Sequence, residues 1–132
     1  MIRQSNFYIG AAGEAFVRYD LLRRGINCAT AAEGTRGFDL FASSPRELIT
    51  VQVKAASIPV SGGKRAETYY FKLNRFLRTE PFIADVYAFV ALDVPAVLYY
   101  RAKDLNTAAK TFTICTSRFM EPDASFERCF FG

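Results

Sequence analysis

Residues 37–57 read GFDLFASSPRELITVQVKAAS. Two runs rich in β-formers, 38–42 and 48–55, flank Ser43-Ser44-Pro45-Arg46. Serine and proline are turn formers, so the stretch reads as a β-hairpin. With the turn centred between Pro45 and Arg46, paired positions add to 91 and Asp39 faces Gln52. Side chains two apart share a strand face, which adds Lys54 to that pair. The other face carries Phe38, Leu40, Ala42, Ile49, Val51 and Val53 and reads as core. A slip of one residue would exchange the faces and scatter the three polar groups.

Upstream, a helix is expected over 6–24, with Ser5 or Asn6 as its cap and Gly25 as its stop. Phe7, Ala11, Ala15, Arg18 and Leu22 trace one stripe of that helix; Gly10, Glu14, Val17 and Leu21 trace the next. A short strand follows at 27–31, then a loop at 33–37. Downstream, 69–73 reads as a strand that can lead into a short helix through 74–78. Strands are expected at 85–92, 97–101 and 110–115, with 102–109 a short helix or loop. The tail FMEPDASFERCFFG is aromatic but shows no clear period. These elements predict one mixed α/β domain over 1–132 with a mostly antiparallel sheet.

Composition narrows the chemistry. The 132 residues include 13 Phe and 7 Tyr, a globular composition. No apolar run approaches the roughly 20 residues that span a bilayer. The three cysteines, Cys28, Cys115 and Cys129, form no C-x-x-C motif, and the N-terminus does not read as a secretory signal. Reduced thiols and a cytoplasmic location are therefore expected. There is no histidine, which excludes Ser-His-Asp triads, Cys-His proteases and nucleases with a histidine base. Catalysis would have to use carboxylates, Lys, Tyr, Ser or a metal held by oxygen. The net charge of +4 favours an anionic partner.

Glu14 in the first helix, then Arg36-Gly37-Phe38-Asp39-Leu40, then Val51-Gln52-Val53-Lys54, resembles the PD-(D/E)XK nuclease superfamily. The chain is similar in particular to the group with Q-x-K in place of E-x-K, which includes a group I intron homing endonuclease. It also resembles archaeal Holliday-junction resolvases. The likeness covers roughly residues 6–57, with a weaker echo at 69–73 and 84–87. It implies a restriction-endonuclease-like core, a mixed and mostly antiparallel central sheet flanked by helices. It further implies Mg2+- or Mn2+-dependent hydrolysis of DNA phosphodiester bonds, with Glu14, Asp39, Gln52 and Lys54 as the catalytic set.

In such a site Asp39 would be the main metal ligand, with the Gln52 amide oxygen, the Val53 carbonyl and Glu14 completing part of the shell. Lys54 would hold the attacking water or stabilise charge on the phosphoryl oxygens. Gln52 departs from the commoner pattern, because an amide supplies an oxygen without a charge. One unit charge acting on another at ~4 Å, with an effective dielectric near 20, is worth about 4 kcal/mol before desolvation. Weak metal binding is expected until a substrate phosphate adds its own oxygens. The same departure fits a catalytically inactive nuclease-fold module that binds DNA or a protein partner, and that alternative stays open.

Plainer roles exist for each residue. Asp39 can end a loop beside Gly37, Gln52 and Lys54 can be the wet face of an edge strand, and Glu14 can pair with Arg18. Arg36, Lys64 and Arg65 are the expected DNA-binding residues, because two loops bring them toward the hairpin. The Phe-rich tail either caps the core or makes a homo-oligomer contact, such as a dimer.

Overall fold

A computed structural model describes residues 5–35, 37–60, 67–73, 84–105 and 109–131. The hairpin forms as β2 (Leu40–Ser43) and β3 (Leu48–Ala56). Leu40 pairs with Val51 and Ala42 with Ile49, the register expected from the turn. Ser44 closes that turn. Its N–H and hydroxyl both donate to the Glu47 carbonyl, and its oxygen accepts the Glu47 N–H at 3.1 Å.

The main sheet runs β1 (Asn27–Thr30), β2, β3, β5 (Val86–Ala91), β6 (Ala96–Arg101). Every pairing is antiparallel except β3 with β5, which is parallel. The sheet is thus mixed and mostly antiparallel. β5 is buried along its whole length, as a central strand covered on both faces must be.

One face carries Leu40, Ala42, Ile49, Val51 and Val53, packed under Val17 and Leu21 of α1 (Asn6–Arg23) and Phe126 and Phe130 of α2 (Asp123–Phe130). The opposite face carries Tyr87, Phe89 and Leu98. It is covered by β4 (Thr68–Lys72) and β7 (Thr111–Cys115), which pair with each other as a separate two-stranded sheet. Tyr69, Phe71 and Ile114 are the inward residues of that ribbon.

Gly25, with φ of 82°, ends α1 in the left-handed conformation that glycine tolerates. Gly13 has a different task. A Cβ there would lie 2.6 Å from the Ala55 Cβ, so its hydrogen lets α1 lie close on β3. The buried side of α1 is Gly13, Val17, Asp20 and Leu21. The expected stripe of Phe7, Ala11, Ala15, Arg18 and Leu22 faces out instead.

Asp20 is 2 % exposed and ties the layers together. Its carboxylate accepts the Tyr99 hydroxyl at 2.7 Å and the Arg24 Nε at 3.0 Å, and Arg24 also reaches Asp123 of α2 at 2.7 Å. With the Arg23 Nε at 2.9 Å as a third donor, this buried carboxylate is satisfied, not stranded.

Several expectations change. Phe38 precedes β2 and packs against the ribbon-side core, because the chain turns at Gly37 before the strand begins. The strands expected at 69–73 and 110–115 pair with each other, as β4 and β7, outside the main sheet. The tail folds into α2, with Phe126 and Phe130 in the core, so it caps the core. The expected helix through 74–78 lies outside the described residues. All three cysteines are free. Among the described residues no helix is long and apolar enough to cross a membrane.

Candidate active site

Asp39 is fixed at several points just before β2. Its N–H donates to the Val51 carbonyl and its own carbonyl accepts the Ala31 N–H, both at 2.8 Å. Its Oδ2 accepts the Val53 N–H at 2.8 Å. The side chain therefore continues the ladder where the backbone of β2 leaves it. A carboxylate held this way is pre-positioned, with little rotamer freedom left to lose on binding.

The close seat of Gly13 on Ala55 carries the next residue, Glu14, to the same edge. Its carboxyl is hydrogen-bonded to Asp39. Burial first, then that hydrogen bond and the Asp39 charge, raise Glu14 from 4.5 to about 7. Two carboxylates this close disfavour each other's ionisation, which is the direction of the Glu14 shift. A bound cation would relieve the same repulsion.

Lys54 and Gln52 are half-buried on β3. Their alternation with Val51 and Val53 turns them away from α1, toward the ribbon side of the sheet. Burial lowers the Lys54 ammonium below its ordinary range, and the Asp39 charge opposes that shift. Gln52 pairs with Tyr87 across the parallel ladder. Burial and then the Asp39 charge push the Tyr87 hydroxyl up to about 12.

Glu14, Lys54 and Tyr87 thus all respond to the charge on Asp39, and Gln52 adjoins them through the register. Tyr87 is the member that sequence reading missed. Its neighbourhood depends on β5 lying parallel beside β3, and a local pattern does not reveal strand order. Asp85 has a structural task nearby, since its carboxylate accepts the Thr50 N–H at 3.0 Å and the Thr50 hydroxyl at 3.1 Å. It fastens the start of β5 beside β3.

Among the described residues, no three Asp, Glu, Cys or His side chains converge to hold a metal by themselves. Arg36, Lys64 and Arg65 lie outside the described residues.

No protein-family model matches the sequence. No curated protein matches it either. Solved structures do. A bacterial homing endonuclease superposes with a TM-score of 0.68 at 16 % identity, covering 86 % of this chain and 77 % of that one. Archaeoglobus fulgidus Hjc, a Holliday junction resolvase from an archaeal hyperthermophile, superposes with a TM-score of 0.55 at 20 % identity, covering 93 % and 98 %. The chain therefore shares the mixed-sheet α/β fold of these two proteins.

Proposed function

We propose that this chain is a divalent-metal-dependent endonuclease that hydrolyses DNA phosphodiester bonds, with Glu14, Asp39, Gln52 and Lys54 as its catalytic set. The observation that carries the reading is the meeting of the Glu14 carboxyl with Asp39, whose Oδ2 is held by the Val53 N–H at 2.8 Å, beside the half-buried Lys54. Fold alone does not fix function. A close pair of acids beside a half-buried lysine, on a fold shared with a homing endonuclease and a Holliday junction resolvase, is a more specific signature.

The donor set fits Mg2+ or Mn2+, which take hard oxygen ligands. Asp39 would be the principal ligand, aided by the Gln52 amide oxygen and by Glu14 once its proton leaves. The Val53 carbonyl is a further candidate. It leaves the same edge of β3 as the N–H that meets Asp39, beyond the last β2–β3 pair. When bound, the ion would polarise the phosphate and lower the pKa of an attacking water. Lys54 would orient that water or, as the ammonium, neutralise charge growing on the phosphoryl oxygens. DNA would approach along Arg36, Lys64 and Arg65.

The test is incubation of supercoiled plasmid with the protein and Mg2+ or Mn2+. Nicking that disappears on chelation and in Asp39→Ala and Lys54→Ala supports the proposal. DNA retention without cleavage, unchanged by both substitutions, would replace it with a non-catalytic nuclease-fold module, a reading that Gln52 in an acid's place favours.

A further inference from the structure

A side-chain amide carries an oxygen and an NH2 at its tip, and only the oxygen can meet a cation. Which of the two turns inward depends on what stands beside it. Gln52 lies on β3 between β2 on one side and β5 on the other. On the β2 side is Asp39, whose N–H donates to the Val51 carbonyl and whose Oδ2 accepts the Val53 N–H, so it straddles position 52. A carboxylate accepts and does not donate, so Asp39 by itself attracts the Gln52 NH2. To ligate a cation beside Asp39, the amide must turn the other way. Its NH2 then needs an acceptor on the β5 side.

We infer, on the metal-dependent reading above, that Tyr87 is that acceptor: its hydroxyl oxygen takes the Gln52 NH2 and so presents the Gln52 oxygen to the cation. Tyr87 is the β5 residue in register with Gln52 across the parallel ladder. Both side chains leave the sheet on the ribbon side. Their neighbours Val51, Val53, Val86 and Ala88 belong to the core under α1, while Tyr87 and Phe89 belong to the core under the ribbon. Tyr87 is 3 % exposed and its ring stacks on Phe89, with centroids 6.2 Å apart at 29°, so it is held in place. The Asp39 charge acts on its hydroxyl, which puts that group toward the site.

The other polar groups nearby are engaged or of the wrong kind. The Lys54 ammonium has donors and no acceptor. The Thr50 hydroxyl donates to Asp85 Oδ2 at 3.1 Å and accepts the Asp85 N–H at 3.0 Å. That same carboxylate oxygen accepts the Thr50 N–H. Tyr100, opposite Tyr87 on β6, accepts a hydrogen bond from Arg118 at 3.2 Å. A glutamate at position 52 would need no such partner, since either of its oxygens can meet a cation. Tyr87 is thus a positioning residue whose task follows from the amide.

The experiment is Mn2+ titration of the full chain, followed by water-proton relaxation, in the wild type, Tyr87→Phe, Gln52→Glu and the double variant. Loss of one neutral hydrogen bond should weaken Mn2+ binding about fivefold in Tyr87→Phe, while the same change made in Gln52→Glu should alter it by less than about twofold. If Tyr87→Phe fails to fold, the wild type decides by NMR: with Mg2+ bound, the Gln52 side-chain NH2 should show a nuclear Overhauser effect to the Tyr87 ring protons. Equal losses in both backgrounds, no loss in either, or no such contact in the Mg2+-loaded protein would overturn the role of Tyr87 and leave the metal site standing. Absence of Mn2+ uptake by both the wild type and Gln52→Glu would instead overturn the metal-dependent reading, and the role of Tyr87 with it.

Discussion

Replacing Asp39 by Asn should release Glu14 from its proton. Glu14 sits at about 7 because of burial, a hydrogen bond to Asp39 and the Asp39 charge, in that order. The Asn side chain keeps an oxygen for the Val53 N–H, so the local fold should survive. The charge disappears and the carboxyl hydrogen bond weakens, leaving burial as the main cause. The Glu14 pKa should therefore fall from about 7 yet stay above 4.5.

The stability consequence has a definite sign. Between 4.5 and about 7 the native state holds a proton that the unfolded chain has released. Glu14 therefore makes stability decline as pH rises through that window, with the cost complete above it. The whole shift would correspond to about 3 kcal/mol. Glu14 is part-exposed, and screening reduces this to about 1–2 kcal/mol. In Asp39→Asn that decline should be shallower. NMR titration of the Glu14 carboxyl, with urea unfolding across the same pH range, measures both effects. A wild-type Glu14 that titrates near 4.5, or one that Asp39→Asn leaves near 7, would refute the coupling.

Gln52→Glu should tighten Mn2+ binding by about tenfold or more, since the added charge is worth about 4 kcal/mol per unit at ~4 Å before desolvation and Asp39 repulsion offset much of it. Isothermal titration would show it, and an unchanged affinity would argue that position 52 does not face the ion. Gly13→Ala should cost about 2 kcal/mol, because overpacking at the upper end of the usual range, about 3 kcal/mol, outweighs a helix-propensity gain of roughly 1 kcal/mol. Its Cβ would meet Ala55 at 2.6 Å. Chemical denaturation checks this, and a variant as stable as the wild type would mean that α1 sits farther from β3.

The hairpin was legible because its information is local. Turn residues at 43–46 and strict alternation define one register, which the structure has from Leu40 to Ser43; Asp39, expected opposite Gln52, instead bonds Val51 and Val53. The first helix was equally legible from its period and from Gly25. Its orientation was not, since apolar residues on both sides leave periodicity nothing to choose between. Of the two neighbouring stripes, the one with Phe7 and Leu22 is exposed and the one with Val17 and Leu21 is buried, together with Asp20, which belongs to neither. Strand order was out of reach for the same reason. The parallel β3–β5 pair and the β4–β7 ribbon join segments distant in sequence. For the site, the order Glu14, Asp39, Gln52, Lys54 could be read directly, whereas Tyr87 could enter only through that long-range pairing.

Crystals soaked in Mn2+ and recorded at its absorption edge bear most directly on whether these side chains seat a cation. An anomalous peak is expected about 2.1 Å from an Asp39 carboxylate oxygen, with Gln52 and Glu14 turned toward it. Peaks confined to other surface carboxylates, with none beside Asp39, would contradict the metal-dependent site and the chemistry built on it.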